Sequence, residues 1–267
     1  MNHNYIFSIV FFSVIILWTI STFLEYILPC KPKRALTLFL NFTGVILLFF
    51  FILYLWIKMQ RPPLKTLAET RLWYAFLLSS IALLIDLWSP MKWLTKYAMG
   101  MSILFLLINY LKPATFDKTL APALQSPWFI PHVVVYMLAY ALLAATSLFS
   151  IHGLYLHYVR KKNITDILEK NDFILNNGLA FLIMGLLFGA LWAKEAWGHY
   201  WTWDPKETWA LVTFLSYLCY IHLRYGHKSK ENIALWFLAL NFLILLICWF
   251  GIKYLPSAAG SIHTYST

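Results

Sequence analysis

The apolar residues of this chain come in long unbroken blocks, and no other feature of the sequence restricts its fold as much. A soluble helix confines its apolar residues to a stripe and a half-buried strand alternates them. Neither pattern produces runs of about 20 apolar residues, the length that crosses a bilayer core. Windows of that length fall at roughly 5–28, 36–57, 72–89, 93–111, 129–158, 174–193, 209–224 and 233–254. Asp86 interrupts the third, and the seventh is short unless it starts inside the Trp-rich segment before it. Composition agrees: 12% of the 267 residues are charged, about half of what a soluble surface needs, and the mean hydropathy is +0.68. The expectation is an all-α, polytopic transmembrane helical bundle of about eight spans. With no internal repeat or low-complexity tract, it reads as a single domain over 1–267. Disorder, collagen, a secreted disulfide scaffold and a cytosolic enzyme are excluded.

The net charge of +10 would suggest nucleic acid in a soluble protein; here it reads as loops anchored against anionic headgroups, with no nucleic-acid partner. Cys30, Cys219 and Cys248 are scattered and form no CxxC pair, so neither a disulfide framework nor a thiol-redox site is expected. Met1 to Tyr5 carries no Lys or Arg, and the first apolar run is too long for a cleaved signal peptide. Placing the N-terminus outside puts 12 of the 21 basic residues in cytoplasmic loops, among them Arg160, Lys161, Lys162, Lys170, Arg224, Lys228 and Lys230. The 58–71 loop, with Lys58, Arg61, Lys65 and Arg71, opposes that assignment. The topology read this way is N-out and C-out. The loops 58–71 and 112–128, the stretch 194–208 and the tail 255–267 then lie on the outer face.

Residues 192–209 hold five of the 13 tryptophans: Trp192, Trp197, Trp201, Trp203 and Trp209. Interfacial belts collect Trp, but a belt needs one or two rings per helix end. It does not account for Lys194, Glu195, Asp204, Lys206 and Glu207 threaded among the rings. Flat π faces with polar anchors between them suit a large flat ligand, the charges either fixing the loop or meeting polar groups of the ligand.

The string WGHYWTWDPKETW, residues 197–209, resembles the signature of the WWD-domain haem-handling proteins. Its WDPKETW ending looks like the CcsA (ResC) branch of system II cytochrome c biogenesis, whereas the CcmC and CcmF types of system I share the WGxxWxWD core but usually continue differently after the Asp. RPPLKTLAETRLWYAF (61–76), ALQSPWFIPHVVVYMLAYALL (123–143), YIHLRY (220–225) and AAGSIHTYS (258–266) look like CcsA segments in the family's order, so the resemblance covers roughly 60–267.

The resemblance implies haem b as the bound group. Neutral imidazole suits an iron that cycles between oxidation states. His132, near the outer end of the fifth span, and His263, in the outer tail, lie on the side of the Trp-rich segment. They match the family's two external ligands. Trp197, Trp201, Trp203, Asp204 and Trp209 form the platform of that outer site. His222 lies 13 residues after Trp209, about 20 Å down a helix. By depth alone it could be a polar residue snorkelling beside Arg224; the resemblance makes it the ligand of an inner haem. His152 competes weakly for that site. His3, His157 and His227 read as terminal or loop residues, and His199 as part of the platform. The intramembrane acids Glu25 and Asp86 either line haem entry or pair with Lys31 or Lys92. Lys194, Lys206 and Arg71 either neutralise haem propionates or pair with nearby acids.

The function implied is delivery of reduced haem for thioether attachment to apocytochrome c CxxCH motifs on the periplasmic or lumenal-type face. A CcsB-like membrane protein and a thiol-reducing protein would be partners, in a bacterial inner or thylakoid-type membrane. Such a chain needs no nucleophile, because the substrate thiolates supply it. Two alternatives stay open: a haem chaperone or exporter of CcmC type without attachment activity, and a haem-free transporter with proton-coupling histidines.

Overall fold

A computed structural model of the chain describes residues 3–27, 33–88, 92–112, 122–226, 231–256 and 261. Eight α-helices follow one another: α1 (His3–Ile27), α2 (Lys33–Met59), α3 (Leu67–Trp88), α4 (Lys92–Leu111), α5 (Phe129–Tyr158), α6 (Thr165–Trp197), α7 (Pro205–Gly226) and α8 (Glu231–Trp249). Short 3-10 turns at Pro122–Gln125 and Gly251–Tyr254 complete the described secondary structure. Seven of the eight helices are long and apolar enough to cross a membrane, and α7 falls short of that measure. The protein is an all-α polytopic membrane protein.

The chain divides into two compact units, Met1–Leu120 and Ala121–Thr267. In the first, α1 to α4 pack in a ring, each against the next and α4 against α1. Trp18 is buried there and donates from Nε1 to the Asn41 carbonyl at 3.2 Å. Gly44 is the notch that admits its indole, since a Cβ at that position would collide with the ring. α3 and α4 are stitched by Ser102 Oγ to Ala75 O (3.0 Å) and Asn109 Nδ2 to Ala68 O (2.8 Å), bonds that compensate polar groups in an apolar medium. The two acids noted in the sequence are both paired, with Lys96 and Arg34; Lys31 lies outside the described residues. Glu25 of α1 meets Lys96 of α4 at 2.8 Å. Asp86 of α3 lies 3.9 Å from Arg34 of α2, which also donates to the Asp86 carbonyl at 3.0 Å. The partners are distant in sequence because neighbouring helices supply them.

In the second unit the lateral order is α6, α5, α8, α7. α6 lies on α5 along a stripe of small residues. A Cβ on Gly178 would press on Leu142 and Leu143, and one on Gly185 would stand 2.8 Å from the Tyr136 ring. α8 is tied to α5 by Ser147 Oγ to Ala239 O (3.1 Å) and to α7 by Asn241 Nδ2 to Ser216 O (3.1 Å). α6 and α7, although consecutive, are in close approach over only a small part of their length.

Several boundaries differ from the apolar windows, most of all those of α6; α3 and α7 also start earlier, at Leu67 and Pro205. α6 begins at Thr165 and runs to Trp197, 33 residues, about 50 Å at 1.5 Å per residue, well beyond a hydrocarbon core of about 30 Å. A hydropathy window sees only its lipid-compatible middle. Lys170 therefore lies on a helix, paired with Asp166 one turn earlier at 2.9 Å. α8 ends at Trp249 and the chain turns through Gly251–Tyr254, so the eighth span is shorter than 233–254.

Candidate functional site

The Trp-rich segment is not one loop. Residues 192–197 end α6, residues 198–204 form the turn, and residues 205–209 open α7. Gly198 closes α6 in the left-handed conformation (φ 86°), which glycine adopts without a Cβ penalty, and its N–H bonds the Lys194 carbonyl at 3.0 Å. Lys194 returns its ammonium to the Gly198 carbonyl at 2.8 Å and lies over the Tyr200 ring, 5.4 Å from its centre.

The DPKE sequence is a helix start. Asp204 accepts the Lys206 N–H at Oδ1 (2.9 Å), Pro205 takes the first helical position, and Glu207 reaches back to the N–H groups of Asp204 (3.2 Å) and Thr202 (2.8 Å). This is a reciprocal capping box with Pro where its missing N–H does no harm. Of the two roles open to these acids in the sequence, the structure shows the first: both carboxylates are buried and hold the turn. Asp204 Oδ1 also accepts Ser261 Oγ at 3.1 Å, which places Ser261 at this turn. His263 itself lies outside the described residues.

The strain in the turn falls on Trp203, whose φ is 61° and whose side chain is 67% exposed. A bulky residue in the left-handed region costs about 1–3 kcal/mol and marks functional sites more than ordinary turns. Its ring meets Trp201 edge-on at 5.8 Å. Trp209 is half-buried on the first turns of α7.

His132 sits four residues into α5, half-buried. It stacks on Trp192 (5.3 Å, 28°), meets Tyr136 edge-on at 4.7 Å, and Trp192 in turn touches Trp197 at 4.8 Å. Trp192 is buried and donates from Nε1 to Ala123 O at 2.7 Å, while Glu195 accepts Ser126 Oγ at 2.7 Å; both bonds fix the entry to α5 against the end of α6. Nδ1 of His132 lies 2.9 Å from the Gly185 carbonyl. A carbonyl can only accept, so Nδ1 carries the proton and Nε2 is left as the lone-pair nitrogen. The ring reaches the α6 backbone because Gly189 has no side chain: a Cβ there would be 2.7 Å from His132 Cε1.

His222 shows the same arrangement elsewhere. It is exposed on α7, with Nδ1 2.9 Å from the Leu218 carbonyl one turn earlier. Its Nε2 is likewise the acceptor nitrogen. Arg224 does not stand beside it; its Nε goes to Asp172 Oδ2 of α6 at 3.0 Å. His222 is 17 residues into α7 and His132 three residues past the start of α5. The two helices start from the same end of the unit and run parallel, so the imidazoles differ in depth by about 20 Å. They cannot share a metal ion.

Among the described residues no three His, Cys, Asp or Glu side chains converge on one metal position. The donor set suits an iron that brings four nitrogens of its own and needs only axial imidazole. Aromatic faces beside each ring edge at the His132 end suit a flat macrocycle. His199 is exposed in the turn, and His152 is half-buried on α5. His157 packs edge-on against Tyr158 at 4.8 Å. The side chain of His3, and all of His227, fall outside the described residues. Arg71 donates to its own helix at the Leu67 carbonyl, 3.0 Å away.

Sequence reading missed four residues, three in the second unit and one in the first. Gly185 and Gly189 seat Tyr136 and His132, and the GxxxG spacing in an apolar helix was the available signal. Glu69 opens α3 as Glu207 opens α7. It accepts the N–H groups of Lys65 (2.6 Å) and Thr66 (3.3 Å), and holds buried Arg61 through two oxygens at 2.9 and 3.0 Å. The T-x-x-E spacing announced it. Asp172 gave no local signal.

The chain is thus a helical membrane protein with two imidazoles at different depths, one of them beside a capped tryptophan turn. The chain belongs to the cytochrome C assembly protein family, whose model matches residues 2–259 and so takes in the first two helices as well. It is 34% identical over 239 residues to the cytochrome c biogenesis protein CcsA of Chlamydomonas reinhardtii, covering 82% of this chain and 65% of that one. With CcsA of Heterosigma akashiwo it shares 30% identity over 265 residues, covering 82% and 81%. With CcsA of Lactuca sativa it shares 29% over 317 residues, covering 98% and 94%. Among solved structures it resembles the cytochrome c haem lyase CcmF with a TM-score of 0.72 at 15% identity. That match covers 94% of this chain and 47% of CcmF, so the chain spans about half of that protein, and the likeness is one of fold.

Proposed function

We propose that this chain is the haem-holding subunit of a system II cytochrome c synthase, working with a CcsB-like membrane partner. It presents reduced haem at the Trp-rich turn, on the non-cytoplasmic face, for attachment to the CxxCH thiols of an apocytochrome c. The observation that carries the reading is the shared state of His132 and His222: each Nδ1 is bonded to a backbone carbonyl, leaving Nε2 as the ligating nitrogen. The two depths support two haem positions, an inner one at His222 and an outer one at His132.

Haem supplies the vinyl groups to which substrate thiols add. The chain supplies position. His132 would offer Nε2 to the iron, Trp192 stacks on the imidazole with Trp197 packed behind it, and Trp203 would offer its exposed ring to the macrocycle or the incoming peptide. Asp204 holds Ser261, two residues before His263, within about 7 Å of chain reach; this supports His263 as a residue that would hold the outer haem together with His132. A thiol-reducing protein of the pathway would keep the substrate cysteines reduced. Catalysis of this kind is approximation and orientation, without a nucleophile from the chain.

The test is a pyridine haemochrome assay on the detergent-purified protein, with its partner co-expressed. Parent protein should carry haem at two positions. His132→Ala and His263→Ala should each remove the same fraction, and His222→Ala a different one. A parent without haem under reducing, haem-replete conditions would sink the reading in favour of a haem-free transporter. Full haem content with no cytochrome c assembled would favour a chaperone.

A further inference from the structure

His222 is held by more than its own helix. α7 takes its lateral support from α8 along most of its length and meets α6 little. Near the end of α7, however, one carboxylate of α6 reaches across. Asp172 accepts Tyr220 Oη at Oδ1 (2.6 Å) and Arg224 Nε at Oδ2 (3.0 Å). The Asp172 and Arg224 side chains are each 13% exposed, and Tyr220 is fully buried.

The two donors stand two residues before and two residues after His222. At about 100° per residue they lie within about 40° of each other around α7, while His222 lies about 160° from either. The burial pattern agrees: Tyr220 is buried, whereas Val212, Leu215, Cys219 and His222 form one exposed stripe. Both oxygens of Asp172 are engaged by the face of α7 opposite the imidazole. A two-point hold of this kind resists rotation of a helix about its axis, which a single bond does not. Rotation is the motion that would turn Nε2 away from an incoming metal. The hold also draws Arg224 to α6, so no cation crowds the imidazole from its own turn.

We propose that Asp172 is a positioning residue for the ligand face of α7: by gripping Tyr220 and Arg224 on either side of His222, it fixes the rotation of that helix and directs the imidazole away from α6. The proposal rests on the reading of His222 as an inner haem ligand. It adds that the aim of this ligand is set by an acid on a different helix.

The experiment uses the full-length protein with its partner co-expressed, purified from haem-replete cells. The inner haem is read as the difference between parent and His222→Ala. Asp172→Asn and Tyr220→Phe preserve volume and remove, respectively, the ion pair and one hydrogen bond. Each is expected to lose half or more of that difference and to shift what remains from low-spin to high-spin in the ferrous spectrum. Added imidazole should restore the low-spin spectrum in both, because a free ligand needs no aiming. The exchange Asp172→Arg with Arg224→Asp should recover part of the inner haem without imidazole. Unchanged haem content and spectrum in Asp172→Asn and Tyr220→Phe would overturn the proposal. So would a loss that neither imidazole nor the charge exchange touches, which would make Asp172 a support of the fold alone. Equal haem in parent and His222→Ala would instead overturn the underlying assignment of His222, and this proposal with it.

Discussion

At the scale of single residues, the site depends on side chains that are missing as much as on those present. His132 reaches the α6 backbone only because Gly189 leaves room for its Nδ1–Cε1 edge, and Tyr136 packs over Gly185 in the same way. Gly189→Ala forces a methyl group into that contact. Overpacking of this kind costs about 1–3 kcal/mol, and the cheapest relief is to push the imidazole off the Gly185 carbonyl. The expected result is a lower Tm in detergent together with loss of the haem fraction that depends on His132, the His222 fraction being retained. Ala at position 180, which is exposed on the same helix, is a suitable control site: Ala180→Gly should leave the outer haem in place. Both haem fractions are read by difference spectra. The sequence singled out His132 from its place beside Trp128 and the family-like segment around it. Its seat was legible only in part: the Gly185–Gly189 spacing marks a close helix contact, but which side chain fills it is known only once the facing helix is.

At the scale of elements, the signature WDPKETW combines two physical roles. The tryptophans are the surface proposed above for the haem, while Asp204, Pro205 and Glu207 start α7 and hold the turn. Capping residues are separable by substitution. Asp204→Ala should lower stability by about 1 kcal/mol, the usual cost of losing an N-cap, whereas Asp204→Asn should cost only a few tenths, since Asn caps nearly as well. Differential scanning of the two variants checks this. If Asp204 instead served the ligand through its charge, Asp204→Asn would be as damaging to haem content as Asp204→Ala. The boundary of α6 makes a related point. Hydropathy gave its centre, but 33 residues of helix include a polar first turn and an aromatic last turn that no apolar window contains. The ends are set by Asn163 Oδ1, which accepts the Thr165 N–H at 2.8 Å, and by Gly198. Local hydrogen bonding decides such ends, and side-chain hydropathy is blind to it.

At the scale of the whole molecule, the two units have their own cores and their own interhelical bonds. Loop charge bears on orientation: the turn at 198–204 and the loop at 159–164 lie at opposite ends of α6, so one topology fixes both. The N-out reading expects a cysteine introduced at Tyr200 to react with a membrane-impermeant maleimide added to the non-cytoplasmic side of intact cells. One introduced at Lys161 should react only after permeabilisation, both in a chain whose native cysteines are replaced by alanine. The reverse labelling pattern would invert the topology and move the proposed attachment site to the cytoplasm.

Membrane residence, the all-α class, most of the helices and the tryptophan signature were determined by the sequence itself. In a bilayer the solvent imposes one rule on every spanning segment, that backbone groups pair within it, and apolar length reports compliance directly. Tertiary structure alone decided what pairs with what. It brought Lys96 to Glu25, Arg34 to Asp86, the Gly185 carbonyl to His132, and Asp172 to both sides of His222. These are contacts between helices, fixed by which faces meet and at what depth. Because one apolar face is chemically much like another to lipid, the order of residues along a single helix does not encode its neighbour.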